Sequence, residues 1–380
     1  MLNGPYGSDE PYRSNRLSVL AEPLVTTPGR GHAASGHTRR TGPRIAGLAL
    51  SHSDAAVTQA EALERLGLAG DEFAERIFAR SGVQRRHLTL DDEFLALSLQ
   101  ERASRVEHEL LGHATAAVDA LGVDPATIGT VLSASLYSLG VPTLAHRLVE
   151  HYAMDPTTDK YHLTGVGCAS GVPLVRLAAQ TLHEHPDKHT LIVAAESMSS
   201  VLTPARPSDP KAKTVGSAIF GDGCAALLLS RRAADEGPLV LASQVHQIGA
   251  SLGAVRLDLD DRDSYLHLAR ELPDLAGAGL PGVVGGFLAR HDLDRSDIDH
   301  WIVHPGGRRI IENVQDALEL TREQLATSWD ALADHGNIGT PSIMYVLADT
   351  LARHRPEPGE RGLMVTIGPG VTVGLMLLGW

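Results

Sequence analysis

From residue 44 onward the chain alternates between two hydrophobic patterns. Short continuous apolar runs at 45–50, 128–135, 161–167, 190–195, 238–243, 300–303 and 363–367 predict buried strands. Between them, apolar residues at three- and four-residue spacing predict helices over 58–66, 71–80, 93–121, 172–185, 310–320 and 342–354, with a further helix opened by Pro142. Strands alternating with helices imply mostly parallel sheets with helices on their faces, an α/β class.

The pattern fails in the first 43 residues, which are rich in Gly and Pro and show no apolar period; they are expected to be a disordered tail. No continuous apolar segment near the start suggests a secretory signal. The long uncharged run at 363–380 is interrupted by Gly368-Pro369-Gly370 and rich in β-branched residues beyond it, so it predicts two buried strands joined by a tight turn, not a membrane span.

The folded part divides into similar halves, 44–236 and 237–380. With Cys168 laid on Asn337, Gly167 falls on Gly336, and 179–185 aligns without a gap on 348–354, with Ala, Thr, Leu and His shared. Internal duplication is the economical reading, and two such halves are expected to stack as layers.

Charge and cysteine content narrow the function classes. Lys plus Arg number 33 against 46 Asp plus Glu, a net charge of -13, which argues against an extended nucleic-acid surface and requires any anionic ligand to meet a local basic cluster. One such cluster is Arg76, Arg80, Arg85 and Arg86, which is either a solvated helix face or a phosphate site. The two cysteines, Cys168 and Cys224, exclude a disulfide framework or a Cys-rich metal site and suit a reducing cytoplasm. Cys224 lies among small apolar residues and is expected in the core.

Cys168 differs. It lies in Gly165-Val166-Gly167-Cys168-Ala169-Ser170-Gly171, between a predicted strand and a predicted helix, where partial positive charge eases loss of the thiol proton. In α/β folds ligands bind at loops leaving strand C-termini, and Cys168, His304 and Asn337 are all predicted in such loops, one from the first half and two from the second. They can converge at the junction of the halves.

These motifs carry a resemblance. Gly167-Cys168, His304-Pro305-Gly306-Gly307, Gly336-Asn337, Gly368-Pro369-Gly370 and Phe220-Gly221-Asp222-Gly223, in this order of roles across residues 44–380, resemble the type III polyketide synthases, the chalcone synthase-like family of thiolase fold. The C-terminal third is similar to the bacterial 3,5-dihydroxyphenylacetyl-CoA synthase branch. The resemblance implies an internally duplicated α/β/α/β/α sandwich and a cytoplasmic homodimer that uses neither cofactor nor metal. It also implies an acyltransferase that loads an acyl-CoA starter on Cys168 and extends it with malonyl-CoA by decarboxylative Claisen condensation. Catalysis would rest on Cys168 as a thiolate paired with imidazolium at His304, with His304 and Asn337 stabilising the enolate oxygen.

The resemblance further assigns CoA phosphates to Arg76 and Arg80, and pocket positions to Met198, Pro204 and Leu266 beside Gly306 and Gly307. Val141, just before Pro142, would reach the neighbouring subunit's pocket. None of the five Phe falls at the two positions where plant members carry gating Phe, so an aliphatic gate is expected. A ketoacyl-ACP synthase III shares fold and triad but takes its extender from acyl carrier protein; His304-Pro305-Gly306-Gly307 and the Gly-Pro-Gly loop argue against it. Cys, His, Asn is also the chain order of papain-like peptidases, but their Cys signature is absent and they give no reason for a duplicated half.

Overall fold

The computed structural model describes residues 17–22, 42–138, 140–259 and 264–380. In chain order the strands are β1 (Leu17–Glu22), β2 (Arg44–Ser53), β3 (Ala56–Thr58), β4 (Arg85–His87), β5 (Ile128–Ala134), β6 (Asp159–Leu163) and β7 (His189–Glu196). They continue with β8 (Gly223–Ser230), β9 (Leu239–Gln247), β10 (Val255–Leu259), β11 (Ser264–Leu268), β12 (His300–Val303), β13 (Arg361–Gly368) and β14 (Thr372–Gly379).

The first half builds the order β6-β5-β7-β8-β2, with β1 added to β2, and the second builds β12-β13-β14-β9. The two join where Arg44 of β2 pairs with Leu239 of β9, reinforced by hydrogen bonds from Ile45 N to Pro238 O and Val240 N to Pro43 O. Alternation along each strand builds the layers, because successive side chains point to opposite faces. Ile192 and Ala194 of β7 and Met376 and Leu378 of β14 face a central layer made by the Gly171–Thr181 and Ser342–His354 helices. Leu191, Val193 and Ala195 face the outer Leu99–Leu121 helix, and Val373, Leu375 and Leu377 face outer helices of the second half. The result is the expected five-layer α/β/α/β/α sandwich.

Several local expectations are corrected. The sheets are mixed: β5/β6, β5/β7 and β12/β13 are parallel, whereas β7/β8, β2/β8, β13/β14 and β9/β14 are antiparallel. β13 and β14 are joined by the short Pro369–Val371 turn, too short for the crossover a parallel pair requires, whereas β7 and β8 are antiparallel although the Lys211–Ile219 helix lies between them. The expected helix over 93–121 is two helices, Asp92–Ala96 and Leu99–Leu121, because Ser98 caps the second: its hydroxyl accepts from Glu101 N while Glu101 accepts from Ser98 N. The helix expected over 172–185 ends at Thr181. Leu17–Glu22, inside the expected disordered tail, is strand β1, paired antiparallel with β2; the rest of residues 1–41 lies outside the described residues.

The 363–380 run forms the β13/β14 hairpin as expected. Among the described residues one helix, Leu272–Ala289, is long and apolar enough to cross a membrane. It carries Pro281 in its interior and buries Ala276, Leu280, Val284, Phe287 and Leu288 as a stripe against the second half's core.

Candidate active site

Cys168 enters the site from the first half. After β6 ends at Leu163, Gly165 and Gly167 take positive φ of 81° and 56°, and Gly167–Ser170 forms a 3₁₀ turn that runs into the Gly171–Thr181 helix. Positive φ strains any residue with a Cβ, which explains glycine at both places. The turn is clamped from the second half: Thr340 Oγ1 donates to Gly167 O at 3.0 Å, and a Cβ on Gly368 would lie 2.4 Å from Ala169 N. The Gly-Pro-Gly loop therefore forms the back of the Cys turn.

His304 follows β12, and its backbone N–H extends the ladder to Val365 O at 2.9 Å. The ring is buried, and neither ring nitrogen has a hydrogen-bond partner. Gly306 packs beside that ring, where a Cβ would stand 3.2 Å from Cδ2. Asn337 departs from the expectation of a strand C-terminus: it follows the Ala326–His335 helix. It is tied to the Phe220-Gly221-Asp222-Gly223 loop by a parallel bridge with Phe220, with Asn337 N donating to Ile219 O at 2.7 Å.

The Asn337 amide is held in one orientation. Its Oδ1 accepts from Gly339 N at 2.8 Å and faces Cys168 Sγ at 3.7 Å, while Nδ2 donates to Gly306 O at 3.2 Å. An amide nitrogen has two N–H groups, so one donor remains for a ligand.

Cys168, His304 and Asn337 line one cavity of about 1010 Å³. Its walls include Leu136, Val215, Ile219, Val255, Leu266 and Ile367, together with Phe73 and Phe220. At its mouth stand the exposed cations Arg80, Lys211, Arg270, Arg308 and Arg309. Two of them have carboxylate neighbours: Arg308 pairs with Glu312 at 2.7 Å and Arg309 lies 3.8 Å from Asp274. In a chain of net charge -13, this is the local basic cluster that an anionic ligand requires.

Burial decides the protonation of the resting pair. Burial, with the charge of Glu196 adding to it, pushes the Cys168 thiol up to about 12, and burial pushes the His304 imidazole down to about 3. A short 3₁₀ turn and one Asn337 contact oppose burial only weakly, so both shifts run against the expected thiolate and imidazolium and toward thiol and neutral imidazole. His304 is thereby left able to accept a proton.

Of the sequence-predicted residues, Cys168, His304, Asn337, Arg80, Leu266, Gly306 and Gly307 reach this cavity. Three do not. Met198 is fully buried behind Glu196, placed so that a Cβ on Gly339 would lie 2.7 Å from its Cε, because its short 3₁₀ turn points it into the core. Pro204 is exposed on the loop that follows, and Arg76 is exposed one turn before Arg80. Two other arginines of the early cluster are structural. Arg86 is buried and donates to Ser217 O, Phe220 O and Gln59 Oε1, and Arg85 pairs with Asp334. The sequence reading missed Lys211, Arg270, Arg308 and Arg309, and it missed that Phe73 and Phe220 make the wall partly aromatic. Arg308 and Arg309 directly follow Gly306-Gly307 and could have been found there; Lys211 and Arg270 carry no local signal.

Residues 49–300 match the family model described as FAE1/Type III polyketide synthase-like protein, and residues 239–379 match the C-terminal domain of chalcone and stilbene synthases. The chain belongs to the type III polyketide synthase family. Its relatives include 1,3,6,8-tetrahydroxynaphthalene synthase of Streptomyces peucetius subsp. caesius, 31% identical over 80% of this chain and 83% of the relative. The 3,5-dihydroxyphenylacetyl-CoA synthase of Streptomyces toyocaensis is 29% identical over 89% of this chain and 90% of that one. The crystal structure of PKS-I from the brown alga Ectocarpus siliculosus superposes with a TM-score of 0.82 at 26% identity, covering 90% of this chain and all of that one. As a type III polyketide synthase the chain is an acyltransferase that builds polyketides from malonyl-CoA.

Proposed function

We propose that Cys168 carries the growing chain as a thioester and that His304 and Asn337 serve both its loading and its extension. In loading, His304 takes the Cys168 proton as Sγ attacks the starter thioester carbonyl; the carbon–sulfur bond to CoA breaks, and His304 returns the proton to the departing CoA sulfur. In extension, malonyl-CoA loses carbon dioxide, and the enolate oxygen receives hydrogen bonds from the spare Asn337 N–H and a ring N–H of neutral His304. Neutral donors stabilise that oxygen without quenching the carbanion. The enolate carbon then attacks the Cys168-bound carbonyl, forming the new carbon–carbon bond and releasing the cysteine.

The observation that supports this reading best is the meeting of Cys168, His304 and Asn337 in one cavity whose mouth carries exposed cations. Arg80, with Lys211 and Arg308, suits the CoA phosphates. Met198 and Pro204 are no longer needed for the pocket, and Leu266 remains as an aliphatic gate in a wall shared with Val255 and Leu268. The starter class this favours is a flexible aliphatic or malonyl-derived acyl group. A homodimer is in keeping with Val141, an apolar side chain that is 88% exposed beside the site's first half, and cytoplasmic location with two unpaired thiols.

The test is mass spectrometry of products formed from malonyl-CoA alone and with a panel of acyl-CoA starters. A Cys168→Ala variant should form no polyketide while still releasing carbon dioxide from malonyl-CoA. Full turnover by that variant, or extension from malonyl-ACP but not malonyl-CoA, would overturn the proposal.

A further inference from the structure

Behind the active site, and outside the cavity, three histidines from separate parts of the chain come together. His52 lies at the end of β2, His87 at the end of β4 and His335 at the end of the Ala326–His335 helix. Ring nitrogens of all three lie within 4.8 Å of one another. Histidines rarely gather in an interior without a partner that uses their nitrogens, and here two are unused: Nδ1 of His87 and Nδ1 of His335 are buried with no hydrogen-bond partner. His52 donates Nδ1–H to Ser53 O at 3.0 Å, which leaves its Nε2 as an acceptor. A metal-bound histidine is oriented in this way, its second ring nitrogen held by a backbone carbonyl.

We propose that His52, His87 and His335 form a binding site for a divalent cation of the zinc class. Three neutral imidazoles with no thiolate suit Zn²⁺, with Co²⁺ and Ni²⁺ as replacements, and leave a fourth position for water. Zinc–nitrogen bonds of about 2.0–2.1 Å place tetrahedral ligand rings roughly 5 Å apart. The His52–His335 and His87–His335 centroids are already 5.5 and 5.6 Å apart. The His52–His87 pair is stacked at 3.8 Å and would splay to admit the ion. Asp54 contributes negative charge beside His52.

The site would be structural in effect. It joins the β2 and β4 ends to His335, two residues before Asn337, at a place where the backbone is already tightly held: a Cβ on Gly221 would lie 2.4 Å from His335 O, and one on Gly336 2.4 Å from Ile219 O. A bound ion stabilises the fold that presents it, so its affinity is readable in thermal stability without any activity measurement.

The experiment uses the full chain, stripped with a chelator, dialysed and titrated with Zn²⁺ alone. One equivalent should bind and raise the unfolding temperature, and Co²⁺ in its place should give the intense visible absorption of a tetrahedral nitrogen site, without a sulfur-to-cobalt band. His87→Gln and His335→Gln should each weaken binding at least tenfold, whereas Cys168→Ser should leave it unchanged. Failure of wild type to bind one equivalent would overturn the proposal, as would binding that survives both histidine variants or is lost with Cys168. If neither histidine variant folds, the Co²⁺ spectrum of wild type still decides: an octahedral or sulfur-containing signature rejects the site.

Discussion

Cys168 lies between opposing influences, and their balance can be measured. The thiol is raised to about 12 by burial and by the carboxylate of Glu196, which is itself raised to about 8 by burial. Below the thiol's pKa the thiolate fraction rises tenfold per pH unit. Alkylation of the unliganded enzyme by iodoacetamide, read by mass of the Cys168 peptide, should therefore climb through pH 7–10 with no plateau. Above pH 8 Glu196 is charged, so Glu196→Gln should speed alkylation at pH 9 by removing a negative neighbour. A plateau near neutrality in wild type would mean that the resting pair is ionised after all. Leu266 permits a second test at the same scale. It is buried in the cavity wall with Phe73 and Phe220 already present, so Leu266→Phe should narrow the gate and lower kcat/KM for medium-chain acyl starters more than for acetyl-CoA. An unchanged ranking, or coumaroyl-CoA as the best wild-type starter, would reject the aliphatic gate.

At the level of elements, the site is a contact between backbones, and glycines are chosen for the approach as much as for the turn. Gly368 leaves 2.4 Å between a would-be Cβ and the backbone nitrogen of Ala169, whereas Gly165, with φ of 81°, has nothing within 4 Å. Gly165→Ala should cost only the ~1 kcal/mol of a left-handed residue. Gly368→Ala must move the Cys turn or the Gly-Pro-Gly loop and should cost at least the ~3 kcal/mol seen for severe overpacking. Denaturant unfolding of both variants checks the ranking, and equal losses would show that the clamp is not rigid. The same contrast explains what was legible in the sequence. β5 and β13 are buried on both faces and read as continuous apolar runs, and Cys168, His304 and Asn337 each sit inside a local motif. The Leu272–Ala289 helix was missed because its glycines and two prolines mask a four-residue apolar stripe. The β10/β11 hairpin carrying Leu266 is two short strands with exposed positions. Residues 52, 87 and 335 share no spacing rule, so only the folded chain brings them together.

For the whole molecule, the interior holds ionisable groups of both kinds, and their titrations set the pH range of stability. Glu196 accepts from Leu136 N and from the hydroxyls of Ser135 and Thr340, and Asp222 accepts from Ser199 N and Oγ, yet burial outweighs these bonds and raises them to about 8 and about 7. The folded chain therefore keeps protons that the unfolded chain releases from about pH 4 upward, and stability falls as pH rises through this window. Buried His113 and His304 act in the opposite sense: lowered to about 4 and about 3, they are neutral when folded, and the unfolded chain binds protons below 6.5 that the folded chain does not. Their contribution is complete above pH 6.5 and lost as pH falls. His87 and His335, lowered to about 4 and about 3, add to the histidine side, so below 6.5 the histidines outweigh the carboxyls and stability falls toward acid; above 6.5 the carboxyl contribution takes over, by up to about 1.4 kcal/mol per pH unit for each group. The unfolding temperature should thus decline from pH 6.5 to 8 and go on falling toward pH 9, where the unfolded chain's thiols ionise while buried Cys168 and Cys224, both raised, keep their protons. Glu196→Gln should remove much of the decline between pH 6.5 and 8 and steepen the loss of stability toward acid, because it takes away a contribution that opposes the histidines there, as read by calorimetry from pH 5 to 9. A wild-type unfolding temperature that rises steadily from pH 6.5 to 8 would mean that Glu196 and Asp222 are ionised in the folded chain and that their hydrogen bonds, not their burial, control them.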